Sequence, residues 1–193
     1  YYEEAIKWGS QVLESLELEE QPELMLALAK AHSKVGNLSN ATGLIRRSVG
    51  LDSSLAGKAI EVLEEIKAEG NAEYETLMTL YRLYREAGNI GKAVRCLEGA
   101  LGQKEMMVEV MLEECGKLID IAPIHAELRV FYGKAKLLLG DLKGIEEIEK
   151  GIRFDPKLKR LAVEALEKFD DPEVEKSIVF LKAAIEKDLG HAE

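Results

Sequence analysis

One turn occurs three times in the chain: Val35-Gly36-Asn37-Leu38, Ala87-Gly88-Asn89-Ile90 and Leu139-Gly140-Asp141-Leu142. The same interval, 52 residues, separates Gly36 from Gly88 and Gly88 from Gly140. A chain that repeats itself at a fixed interval is built of like units that stack on one another. An apolar residue followed by Gly is how a helix stops, because Gly enters the left-handed region without steric cost, and the Asn or Asp after it can cap the next helix. Each turn therefore predicts a helical hairpin. One hairpin cannot bury both its faces, so the fold must come from neighbours.

Strong helix formers, Ala, Leu, Glu and Lys, dominate, and only 4 prolines occur, which predicts an all-α chain. The 36 acidic residues outnumber the 26 basic ones for a net charge of −10. That excess argues against nucleic acid and anionic membrane as partners, since both need a positive field. No apolar run approaches the ~20 residues of a membrane span. Cys96 and Cys115 are too few for a disulfide framework and read as buried thiols in a reducing, cytoplasmic setting. The chain opens on Tyr1 without an initiating Met and reads as a piece of a longer protein.

Apolar spacing predicts about eleven helices in one helical-repeat domain spanning residues 1–193. An N-terminal helix occupies residues 1–21, with Ala5, Ile6, Val12 and Leu13 on one face. Three repeats follow at 22–73, 74–125 and 126–177, each a hairpin plus a third helix, and a C-terminal helix occupies 178–193. The third helices start near Leu55, Met107 and Leu158.

The first two helices of each repeat resemble the tetratricopeptide repeat (TPR). The first offers Met25, Leu28, Ala29 and His32, then Ala41, Ile45 and Ser48; the second Leu77, Leu80, Tyr81 and Tyr84, then Ala93, Leu97 and Ala100. The third offers Arg129, Tyr132, Gly133 and Lys136, then Gly144, Ile148, Gly151 and Pro156. The resemblance implies a right-handed superhelical solenoid and a non-catalytic scaffold that binds a protein or peptide on its concave face. Two departures stand out. The repeat here is about one helix longer than the ~34 residues of a TPR, which reads as an inserted third helix, and the closing Pro survives only as Pro156. A HEAT- or armadillo-like array is the alternative architecture.

No enzyme, cofactor or metal chemistry is expected. His32, His125 and His191 are scattered, with no HExxH and no Cys/His cluster, and His32 stands at a core position of its hairpin. Gly88-Asn89-Ile90-Gly91-Lys92-Ala93 lacks the upstream Gly and closing Ser or Thr of a phosphate loop. Paired carboxylates such as Glu64-Glu65 and Glu146-Glu147 alternate with Lys and read as solvated helix faces. Interior glycines, Gly43, Gly57, Gly91, Gly116, Gly133 and Gly151 among them, are expected to let helices approach closely.

What remains is a surface. The resemblance implies that the first helix of each repeat lines the groove, through Lys30 and Lys34 beside Leu26, Met78 with Arg82 and Arg85, and Val130 with Lys134. One position is basic in all three repeats, as Lys30, Arg82 and Lys134, which predicts an acidic, partly apolar peptide as partner. Self-association by stacking of the terminal helices into a homo-oligomer is the competing reading.

Overall fold

The computed structural model describes residues 1–15 and 21–190. Residues 16–20, the end of the predicted first segment, and 191–193, with His191, lie outside the described residues. Among the described residues the chain is all-α, with eleven α-helices: α1 (Tyr2–Ser15), α2 (Pro22–Lys34), α3 (Leu38–Leu51), α4 (Ala56–Ala68), α5 (Tyr74–Glu86), α6 (Ile90–Gln103), α7 (Val108–Ile121), α8 (Ala126–Leu138), α9 (Gly144–Phe154), α10 (Lys159–Leu166) and α11 (Pro172–Gly190). Short 3-10 turns at Ser53–Leu55, Glu105–Met107 and Pro156–Leu158 lead into α4, α7 and α10.

The repeated turns form for the reason the sequence suggests. Gly36, Gly88 and Gly140 have φ of 78°, 71° and 77°, a region that favours Gly. After the first two, the Asn37 and Asn89 side chains accept hydrogen bonds from the backbone N–H of Asn40 and Lys92, capping α3 and α6. Asp141 instead turns the chain by accepting from Lys143 N–H, and α9 starts later. A fourth turn of the same kind, at Gly70 (φ 77°), joins α4 to α5. Its polar flanks, Glu69 and Asn71, hide it from a search for an apolar residue before the Gly.

The chain divides into two compact units, Tyr1–Gly88 and Asn89–Glu193. In the first, α2 lies beside α4 and α3 beside α5, with α1 on α2, so the helices form two layers entered alternately. In the second, α6, α8 and α10 lie side by side, α7 and α9 pack on α8, and α11 packs on α10. The cores match the apolar faces read from the sequence: Met25, Ile45, Leu63 and Leu80 are buried in the first unit, and Leu97, Met111, Leu128 and Leu166 in the second.

This layering corrects the picture of a hairpin with an inserted helix. No helix is extra. Helices two apart in order start 34 or 36 residues apart from α2 to α8, the spacing of TPR-like hairpins. The 52-residue sequence unit therefore holds three helices, one and a half hairpins. Helices equivalent in sequence consequently fall in opposite layers: α2 and α5 in the first unit, α6 and α9 in the second.

Two of the interior glycines do set a close approach. A Cβ on Gly133 of α8 would meet the carbonyl oxygen of Gly144 at the start of α9, and one on Gly151 would lie 2.8 Å from Ala126 O. At Gly43, Gly57 and Gly116 a Cβ would meet open space, so those glycines set no contact.

Candidate functional site

Within the first unit the surface residues singled out from the sequence do not share one layer. In the first unit Lys30 sits on α2 and Arg82 on α5, in opposite layers. Lys30 Nζ donates to Glu65 Oε1 of α4 at 3.1 Å, and Lys34 pairs with Glu69, whose hydrogen bond raises the lysine pKa. Arg82 lines a separate cleft of about 280 Å³ between α3 and α5, with Arg46 and Val49. Arg85 lies over the Tyr81 ring, 5.4 Å from its centroid.

Met78 stands apart from the other named residues: it is 5% exposed and lines neither the cleft between α3 and α5 nor the one described below. Residues 76–81 of α5 are all buried, because the helix packs against both α3 and α4 and has no broad apolar face left over.

In the second unit two of the named residues do come together, with partners the sequence reading missed. Val130 and Lys134 of α8 line a cleft of about 440 Å³ that runs across α6, α8 and α10. Its floor is apolar: Val94 from α6, Val130 and Phe131 from α8, and Leu161 and Ala165 from α10. Its rim carries Arg95, Lys134 and Lys168 against Glu98, Glu127 and Glu164, equal numbers of each sign. Lys134 Nζ meets Glu98 Oε1 at 3.5 Å. Carried over by the hairpin spacing in place of the 52-residue one, Val130 and Lys134 lead to Val94 and Glu98, so the signal lay in the shorter period.

The same offset recurs across both units. Lys30 and Glu65, Lys34 and Glu69, Thr42 and Thr76, and Lys134 and Glu98 are bonded pairs 34 to 36 residues apart in sequence. Each joins neighbours in one layer. Three of the five cations named from the sequence, Lys30, Lys34 and Lys134, thus already face an acidic partner in their own layer.

The remaining candidates among the described residues are placed by packing and capping. His32 is 9% exposed, its Nδ1 has no hydrogen-bond partner among the described residues, and burial lowers its pKa. Cys96 and Cys115 are buried, and burial pushes the Cys115 thiol up, away from the reactive thiolate. His125 serves as the cap of α8, its Nδ1 accepting from Leu128 N–H at 3.3 Å. Among the described residues no group of three His, Cys, Asp or Glu side chains is placed to hold a metal, and no helix is long and apolar enough to cross a membrane.

No protein-family model matches the chain, and no curated protein matches it. Solved structures do. One is the crystal structure of MamA, 18% identical over 99% of this chain and 91% of that one, with a TM-score of 0.34. Another is the crystal structure of YrrB, a TPR protein with an unusual peptide-binding site, 18% identical over 83% of this chain and 98% of that one, with a TM-score of 0.32.

Proposed function

We propose that the chain is a non-catalytic scaffold that binds a peptide segment of another protein in the cleft across α6, α8 and α10. The observation that carries this reading is the apolar floor of that cleft, Val94, Val130, Phe131, Leu161 and Ala165, bounded by charges of both signs. Pockets of a few hundred Å³ with an apolar floor and a few polar groups are the usual form of a binding site. A segment laid across the three helices would bury an apolar side chain against Val130 and Leu161 and set its own charges against the rim. The helices are already packed, so little binding energy goes into ordering the receptor.

The rim is balanced in charge, which favours a ligand carrying both signs over a purely acidic one. Lys134 already has Glu98 beside it, as Lys30 has Glu65.

Peptide display against the whole chain, with binders then measured by fluorescence anisotropy, tests the reading. Peptides selected on the native chain should lose at least tenfold in affinity for Leu161→Glu and keep it for Arg82→Glu, which lies in the other unit. Equal binding to Leu161→Glu would place the face elsewhere. A second reading, self-association through the terminal helices, is favoured by the exposed aromatic side chains of Trp8 on α1 and Phe180 on α11.

A further inference from the structure

A cleft of about 340 Å³ lies between α1, α2 and α3 in the first unit, walled by leucines from all three helices. Its polar groups include His32 of α2 and Ser39, Asn40 and Arg47 of α3. Among the described residues no carboxylate lines it and Arg47 is its one charged group, whereas the clefts that hold Arg82 and Lys134 each carry glutamate. In a chain of net charge −10 the cleft reverses the prevailing sign. A single sign of charge between apolar walls concentrates the field that a ligand meets.

Packing accounts for neither His32 nor Gly43 at this place. His32 lines the cleft at 9% exposure, and its Nδ1 is shut off without a partner among the described residues. A buried N–H with no acceptor is rarer than an unused buried acceptor, so the neutral ring carries its proton on Nε2 and meets the cleft as a donor. Gly43 also lines the cleft, inside α3, where glycine weakens a helix. A Cβ there would meet nothing within 4 Å, so no neighbouring helix requires the glycine. What it leaves is room. Ser39 and Asn40 stand in the first turn of α3, the end of a helix that favours negative charge.

We propose that this cleft binds a carboxylate carried on a short apolar stem. The carboxylate accepts from Nε2–H of His32 and from the Ser39–Asn40 end of α3, on the side of Arg47, and the stem lies on the leucines in the space beside Gly43. One guanidinium among neutral donors matches the single charge of a carboxylate better than the two charges of a phosphate. The site is independent of the cleft across α6, α8 and α10.

An NMR titration of the whole chain with sodium butyrate, read at the backbone amides of Ser39, Asn40 and Gly43, tests the assignment. Butylammonium chloride at the same ionic strength is the control of opposite charge. Butyrate should shift these amides saturably, and butylammonium should not. His32→Leu, which removes the donor, and Gly43→Leu, which fills the space, should each weaken butyrate at least tenfold while circular dichroism matches the native chain. Leu161→Glu, in the other unit, should leave the affinity unchanged. Capped glutamate, N-acetylglutamate methylamide, separates the two sources of such a group: tighter binding than butyrate assigns the cleft to an acidic side chain of a partner, weaker binding to a free organic acid. No saturable shift with either acid overturns the proposal, as does an equal response to butylammonium or a native affinity for butyrate in both variants.

Discussion

Arg129 on α8 donates from Nη1 to Oε2 of Glu147 on α9 at 2.6 Å, with the two side chains only 16% and 10% exposed. Lys150 Nζ reaches the other oxygen of the same carboxylate at 2.6 Å, and Arg129 Nε also donates to Pro123 O at 2.9 Å. In this hairpin the large residue of the TPR-like pattern is thus an arginine held by ion pairs where an apolar side chain would be held by burial.

Removing Arg129 leaves the half-desolvated Glu147 carboxylate to Lys150 alone, and removing Glu147 leaves Arg129 with only Pro123 O. Arg129→Met should cost roughly 1–3 kcal/mol, and Arg129→Met with Glu147→Met together should cost less than the single changes summed. Urea unfolding of the four proteins of the double-mutant cycle measures this, and strict additivity would contradict it.

The same carboxyl sets an acid limit. Burial acts to raise its pKa, but the hydrogen bonds from Lys150 and Arg129 outweigh that and hold it below its ordinary value. A folded pKa below the unfolded one contributes stability that is complete above about pH 4.3 and fades as pH falls through the folded value. Glu147→Gln should therefore lose less stability than the native chain between pH 5 and the acid limit of folding, as read from thermal midpoints.

His32 acts at higher pH. Burial lowers its pKa from 6.5, so the unfolded chain binds a proton more readily than the folded one. Its stabilising contribution is complete above about pH 6.5 and declines as the pH falls from there toward the folded value. His32→Leu should flatten the thermal midpoint between pH 7.5 and 5.5 relative to the native chain, and an identical slope in both would rule this contribution out.

The two kinds of interior glycine should respond oppositely to the same change. Gly133→Ala puts a methyl against Gly144 O and Ile148, and should cost about 1–3 kcal/mol or more. Gly43→Ala meets open space on α3 and should gain about 0.5–1 kcal/mol. Guanidinium unfolding midpoints decide it.

Both cysteines should resist a thiol reagent in the native state and react together on unfolding, since Cys96 and Cys115 are buried and burial raises the pKa of Cys115. Rapid native labelling of either would show that α6 or α7 opens locally.

Much of this fold is legible in the sequence because the turns speak through backbone chemistry: Gly36, Gly88 and Gly140 mark where helices stop, and Asn37 and Asn89 where the next begin. The layering is not, because apolar spacing reports which face of a helix is buried and not which neighbour covers it. Met78 illustrates the gap: beside Leu77, Leu80 and Tyr81 it could cover either side of α5, and only the presence of both α3 and α4 assigns it to the core. Lys30 and Glu65 fail for a related reason, since two charges 35 residues apart carry no mark of being a pair until the hairpin spacing is known. Val130 and Lys134 were within reach because they lie on one face of α8, whereas Val94 and Leu161 lie on helices assigned to other roles.

An odd number of helices per sequence unit, placed in layers entered alternately, gives the chain a parity. Each successive 52-residue unit presents its equivalent helices to the other layer, so α2 and its counterpart α5 pack from opposite sides. Two units, not one, return a helix to the layer from which it started.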